Sequence, residues 1–219
     1  MPAPDALFFD VDGVLIDSLI VKGEALADTF NDFPDSRQMV IDFHLKNGGV
    51  NRSTKIATVY RLVAGTDPSQ SELDSRIARF GNAVKDRVIA ADEIAGAEAA
   101  LGRWAPRCPL YAVSATPHVE LQEILHSRGI GQYFRGIHGW PPTKDEAIAD
   151  LLHRHQHAPE HCALIGDSQE DLMASHRTGI KFVQVSAPAV KTFPGNHPTI
   201  SDLNALDSAI FLALDHQSV

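Results

Sequence analysis

Cysteine is scarce in this chain of 219 residues: there are two, Cys108 and Cys162, with no Cys-x-x-Cys pair or Cys/His zinc spacing around them. A disulfide scaffold and a zinc-stapled fold are excluded on that ground, and free thiols predict a reducing cytoplasm. Long apolar runs are missing too; nowhere do about 18 consecutive apolar residues occur, so no membrane span is expected. The opening Met-Pro-Ala-Pro-Asp lacks the basic and apolar regions of a leader, which predicts an unsecreted, soluble protein. Positive charge is in deficit: 19 Lys and Arg against 28 Asp and Glu give a net charge of -9. This argues against a nucleic-acid backbone or an anionic membrane as partner, and an anionic small substrate would need local cations or a metal. No repeat or low-complexity tract interrupts a composition of 44% hydrophobic and 21% charged residues, with 15 Gly and 13 Pro dispersed along it. The length predicts roughly one to two domains, able to bury a sizeable core.

Within this ordinary composition one segment stands out, Leu7-Phe8-Phe9-Asp10-Val11-Asp12-Gly13-Val14. Leu7 to Phe9 read as a buried strand of a parallel sheet, and Gly13 supplies the bend that ends it. Asp10 and Asp12 then lie at the strand's carboxyl end, the edge where open α/β sheets bind ligands. Two apart, their side chains would share one face of a regular strand, and like charges so close repel. A divalent ion or a proton held by one of them relieves that repulsion. The alternative is an Asp-Gly turn carrying a solvated acid.

Helical spacing follows from about Ile20 to Phe33, over 37 to 64 and over 72 to 90, with breaks at Phe33-Pro34, Asn47-Gly48-Gly49 and Gly65-Thr66-Asp67-Pro68. From about residue 92 strands and helices alternate. Helices are expected at 94–104, 117–128, 144–156 and 169–178, and strands at 110–113, near 135–138, at 162–165 and at 181–185. A long loop over 186–199 precedes a C-terminal helix at 201–215. The pattern predicts a doubly wound parallel α/β sheet, with residues 1–17 and 92–219 as the core domain and 18–91 as a small helical cap domain placed over the site.

Further features fall at equivalent strand ends. Ser114 lies at the end of a strand and the start of a helix, as a phosphate ligand or simply a helix cap. Asp167 and Asp171 follow the apolar Cys162–Ile165 run, as metal ligands or as helix-capping acids. Lys144 opens a helix, where a cation opposes the dipole, so a role neutralising carboxylates or phosphate competes with a solvated surface lysine.

In this order and spacing the motifs resemble the haloacid dehalogenase-like hydrolase superfamily over nearly the whole chain: Asp10-Val11-Asp12-Gly13-Val14, Ser114, Lys144, and Gly166-Asp167-Ser168 with Asp171. The resemblance implies a Rossmann-like core and the helical C1 cap of phosphoglycolate phosphatase-like and β-phosphoglucomutase-like members. It implies Asp10 as nucleophile forming an aspartyl-phosphate and Asp12 as general acid, then base. It implies Mg2+ held by Asp10, the main-chain carbonyl of Asp12 and Asp167, with Asp171 supporting them from behind. Ser114 and Lys144 would bind the phosphoryl group, with N–H donors around Val11 and Ala115. An acid at position 12 favours phosphate-ester chemistry. The expected function is hydrolysis of a small anionic phosphorylated metabolite by a monomer or homodimer. The alternatives are a phosphomutase of the β-phosphoglucomutase type and a non-catalytic phosphometabolite-binding module.

The cap loop from His44 to Lys55 combines glycines with cations. His44, Gly49, Arg52 and Lys55 are the candidates for substrate selection, Arg52 through a bidentate clamp on a carboxylate or second phosphate. A helix–helix turn with solvated basic residues, Lys46 among them, is the alternative. Trp140 either lines the pocket or packs. Of the histidines at 153, 155, 157 and 161, His153 and His157 share a helix face and His155 points elsewhere, so these read as surface residues and not as a zinc site.

Overall fold

The computed structural model describes residues 3–186 and 192–215. Its first strand is β1 (Ala6–Phe9), followed by four helices, α1 (Leu19–Thr29), α2 (Arg37–Lys46), α3 (Arg52–Ala64) and α4 (Gln70–Ala90). Helix α5 (Ala97–Trp104), β2 (Leu110–Pro117), α6 (His118–Ser127), β3 (Gly136–Trp140) and α7 (Lys144–His155) come next. The chain continues through β4 (Cys162–Gly166), α8 (Gln169–Thr178), β5 (Lys181–Val185), β6 (Thr199–Ile200) and α9 (Leu206–Asp215).

The six strands form one sheet in the order β3-β2-β1-β4-β5-β6, each pair parallel. This is the doubly wound α/β fold. Strand order reverses between β1 and β4, so a crevice opens at their carboxyl ends. The register there sets Phe9 beside Ile165, and Asp10 donates its N–H to the Ile165 carbonyl at 2.9 Å. Asp10 and Asp167 therefore leave the sheet side by side.

Period-two alternation divides the core between the two faces. Leu7, Phe9, Ala112, Ile165 and Val183 face one layer, with residues of α1, α5 and α9; Phe8, Tyr111, Val113, Leu164 and Phe182 face the other, with residues of α7 and α8. The first layer continues through Leu26, Val40, Ile56, Phe80 and Val84 into the four-helix insert, so the apolar interior is shared between insert and sheet. Buried Arg76 ties α4 to α1: its guanidinium lies 4.5 Å from the Phe30 ring and donates to the Thr29 carbonyl and to Asp32.

Several boundaries depart from the sequence reading. Strand β2 runs to Pro117 with a register irregularity against β3 beyond Val113, so Ser114 and Ala115 lie in the strand, four and three residues before the helix they were expected to open. Pro117, which cannot continue a strand ladder, occupies the N-cap of α6. The C-terminal helix starts at Leu206, after a 3-10 turn over Leu203–Ala205 capped by Asp202, and β6 falls at the end of the expected 186–199 loop. Residues 187–191 of that loop lie outside the described residues. The histidine pairing also differs. Gln156 is left-handed at φ 54° and ends α7, which folds His157 back onto His155, and both rings pack against Tyr111.

Candidate active site

Asp10, 4% exposed, is fixed by two contacts: Oδ1 accepts the Val11 N–H at 2.8 Å, and Oδ2 faces Lys144 Nζ at 2.8 Å. Lys144 begins α7, where Thr143 and Glu146 form a capping box and Asp145 and Glu146 counter the unfavourable placement of a cation at a helix start. Its ammonium also donates to Asp171 Oδ1 at 2.5 Å. The other Asp171 oxygen accepts from the Ser168 hydroxyl at 2.5 Å and the Ser168 N–H at 3.1 Å. Fully buried, Asp171 thus has both oxygens committed, and its work is to hold Lys144 and the 166–168 turn. Gly166 makes this approach possible, since a Cβ there would collide with the Asp171 side chain.

Asp167 differs. It is 5% exposed, and among the described residues its carboxylate makes no hydrogen bond or ion pair. Gly13, at φ 79°, gives it room; a Cβ on Gly13 would strike Asp167 Oδ2. Carboxylate oxygens of Asp10, Asp167 and Asp171 lie within 4.8 Å of one another. Burial pushes Asp10 up to about 7 despite Lys144, with Asp171 and Asp12 adding to the rise. Burial and the Asp10 charge hold Asp167 well above the carboxylate range. A buried, oxygen-only donor set with an uncompensated carboxylate suits a hard divalent cation.

Asp12 does not share a face with Asp10. The strand ends at Phe9, and the chain turns so that Gly13 donates to the Ile16 carbonyl at 2.8 Å and Ile16 to that of Val11 at 3.0 Å. That turn sends the Asp12 side chain to Lys22 Nζ at 2.5 Å, the Ser18 hydroxyl at 2.6 Å and the Thr116 hydroxyl at 3.1 Å. The repulsion expected from the sequence is relieved differently, each carboxylate meeting its own lysine. Burial raises the Asp12 pKa, but Lys22, Ser18 and Thr116 together outweigh it and bring the group down to about 2.

Lys22 and Thr116, 3.0 Å apart, were not singled out from the sequence. The available signal was Lys22 on the same helical stripe as buried Leu19 and Leu26, four residues after Ser18. A cavity with about 60 Å³ of open space is bounded by Asp10, Asp12 and Asp167 on the sheet side, Ser114, Ala115 and Thr116 from β2, and Lys22, His44, Lys55 and Phe80 from the insert. The structure thus brings Asp10, Asp12, Ser114, Ala115 and Asp167 to one cavity, with Lys144 behind Asp10.

The loop candidates separate. His44 and Lys55 are buried in the cavity wall, Lys55 Nζ standing 3.3 Å from His44 Nδ1. Burial, then Lys22, lowers Lys55 to about 8, and burial with Lys55 holds His44 well below the usual imidazole range, so the ring is a neutral acceptor. Gly49, at φ 77°, seats the loop on the start of α8; a Cβ there would lie 2.7 Å from Glu170 Cβ. Arg52 lines the cavity but is engaged with Glu120 of α6 at 2.6 Å and lies 4.9 Å from the Phe80 ring. A solvated turn accounts for Lys46, which is exposed. Trp140 borders a second, adjoining cavity with Asn51, Thr143 and Arg177.

Comparison with known proteins bears on this arrangement. A protein from Pseudomonas aeruginosa named 5'-nucleotidase is 32% identical over 81 residues, and the chain spans 37% of that relative's length and 35% of its own. Among solved structures, a predicted phosphoglycolate phosphatase from Haemophilus somnus 129PT superposes with a TM-score of 0.78 at 19% identity, covering 95% of this chain and 98% of the other. A HAD-hydrolase from Bacillus subtilis described as bound to magnesium has a TM-score of 0.72 at 18% identity, covering 95% and 99%. At these identities the superpositions speak for the fold. The sequence profile of the haloacid dehalogenase-like hydrolases matches residues 7–185. A match that runs from the second residue of β1 to the last of β5 takes in every acid and lysine of the crevice, and the chain belongs to that hydrolase family.

Proposed function

We propose that this enzyme is a Mg2+-dependent phosphomonoester hydrolase acting on a small phosphorylated metabolite, with the four-helix insert, residues 18–91, as a cap over the 1–17 and 92–219 core. The observation that carries this reading is the cavity in which Asp10, held by Lys144 at 2.8 Å, faces Ser114 and stands beside the uncompensated Asp167. The relative from Pseudomonas aeruginosa carries the name of a phosphatase acting on a phosphate monoester, 5'-nucleotidase, which agrees.

Asp10 attacks phosphorus, the bond to the leaving oxygen breaks, and an aspartyl-phosphate forms. Asp12 gives that oxygen its proton. Its pKa of about 2 belongs to the substrate-free protein, and the negative charge of an arriving phosphoryl group raises it toward the protonated form. Once deprotonated, Asp12 is set by Lys22 and Thr116 to take a proton from the attacking water, which releases phosphate and regenerates Asp10. Lys144 and the Ser114 hydroxyl receive the phosphoryl oxygens, with N–H groups near Val11 and Ala115. Asp10, Asp167 and the Asp12 carbonyl would hold Mg2+, which when bound offsets phosphoryl charge. Packing of the Gly48-Gly49 loop against Ser168 and Glu170 supports exclusion of bulk water by the insert.

Phosphate release from a panel of small phosphomonoesters tests the reading. Wild-type protein with Mg2+ is expected to release free phosphate, and Asp10→Asn to lose at least about a thousandfold in rate, as removal of a covalent nucleophile does. Wild-type rates in Asp10→Asn would end the nucleophile assignment, and an isomeric monophosphate without free phosphate would mark a mutase.

A further inference from the structure

The second cavity adjoins the catalytic one and differs from it in reach. Both are lined by Gly49 and Val50 of the insert and by Ser114 and Ala115 of β2, so they meet along the wall that receives the phosphoryl oxygens. Every residue lining the catalytic cavity is buried or half-buried. The second cavity has about 300 Å³ of open space against about 60 Å³, begins at buried Ser114 and Lys144, and ends at exposed Thr54, Glu170 and Arg177. Asp12, the proton donor of the hydrolase reading, lines the catalytic cavity and not the second, so the leaving group belongs to the former. Charge on the second cavity's wall is balanced: Lys144 and Arg177 stand against Asp145 and Glu170, with Arg177 3.4 Å from Asp145. A wall of one sign concentrates counter-ions, whereas a balanced one lets an anion pass.

Resting on the hydrolase reading, we propose that the second cavity is a passage through which inorganic phosphate leaves, and water reaches, the phosphoryl site while the insert stays seated on the core. The catalytic cavity sets the need. About 60 Å³ holds roughly four to six waters, so a phosphoryl group and a short leaving group fill it. With Gly48 and Gly49 packed on Ser168 and Glu170, a direct way out requires the insert to lift. The opening past Ser114 and Lys144 requires no such motion, and release of product is the step that limits turnover in many enzymes.

Thr54 stands on the exposed rim, in the first turn of α3, so Thr54→Trp narrows the passage. Ser53→Trp, equally exposed on the same turn but lining neither cavity, is the control. The probe is inorganic phosphate with Mg2+, its association and dissociation rate constants read by phosphorus NMR exchange and its Kd by titration. A passage governs rates without altering the equilibrium: Thr54→Trp is expected to slow both constants by about tenfold with Kd kept within about twofold, and Ser53→Trp to change neither. Thr54→Leu, a smaller plug, should slow them less, and it carries the test if the larger side chain disturbs α3. Phosphate release from ethyl phosphate by the wild type reports the hydrolase reading separately. Unchanged phosphate rate constants in folded Thr54→Trp and Thr54→Leu overturn the passage. A Kd weakened in step with faster dissociation makes the rim a binding site and overturns it, and so does a raised KM for longer esters with phosphate exchange intact, which gives the cavity to the leaving group.

Discussion

At the scale of single residues, the separation of Asp10 from Asp12 is the decisive feature. Two acids at adjacent strand-end positions look equivalent in sequence, but Asp10 is raised to about 7 by burial and Asp12 is lowered to about 2, Lys22 and two hydroxyls overcoming burial. Opposed shifts give the two carboxyls different chemistry. Lys22 is the residue that maintains the difference, and its side chain and that of Asp12 are only 11% and 15% exposed. Replacing Lys22 with Met leaves a largely buried carboxylate without its cation. We expect a loss of about 2–3 kcal/mol at pH 7 by denaturant unfolding, below the ~3–5 kcal/mol of fully buried pairs because some solvent screening remains. A depressed carboxyl stabilises the fold above its ordinary pKa of 3.8 and loses that contribution as pH falls toward about 2. The difference between wild type and Lys22→Met should therefore be full at pH 7 and smaller at pH 3. A difference of the same size at both pH values would remove Lys22 from the control of Asp12.

At the scale of elements, strand ends were legible and helix partners were not. Asp10, Ser114 and Asp167 follow short apolar runs whose parallel pairing is implied by the alternating pattern, so their convergence on one sheet edge needs no side-chain information. Lys144 was legible through its conflict with the helix dipole. Thr116 was hidden because β2 continues past Val113 with an irregular register, and nothing local distinguishes that from a helix start at 117. The Arg52 side chain was read toward substrate because its partner, Glu120, lies 68 residues away on α6. Their ion pair joins α3 of the insert to the core, and Gly81 leaves Arg52 space, since a Cβ there would lie 2.9 Å from its Nη1. With side chains 12% and 13% exposed, Arg52 and Glu120 should show a coupling of about 1–3 kcal/mol in a double-mutant cycle of the two alanine variants, above the ~0.2–1 kcal/mol of surface pairs. Additive effects within about 0.5 kcal/mol would show that the pair does not link insert and core.

For the whole molecule, the acidic crevice sits where both halves of the sheet, the insert and the α8 turn meet, so a cation bound there should stabilise the entire fold. At Mg2+ concentrations about a hundredfold above Kd, binding contributes ~2.7 kcal/mol. For a chain of this size that corresponds to a Tm increase of roughly 5–10 °C. The increment carries a pH signature. In the metal-free fold Asp10 keeps its proton up to about 7, whereas the unfolded chain releases it near 3.8, so metal-free stability declines as pH rises between these values. Mg2+ requires the ionised carboxylate and must displace that proton at lower pH. Affinity should fall about tenfold from pH 8 to pH 6 and level off above pH 8, so the Tm increment at fixed Mg2+ grows between pH 6 and 8. Thermal unfolding across that range, with Asp167→Asn as the control that loses the increment, checks the assignment. A Mg2+ effect independent of pH would mean that Asp10 is not the titrating ligand, and one surviving in Asp167→Asn would place the cation elsewhere.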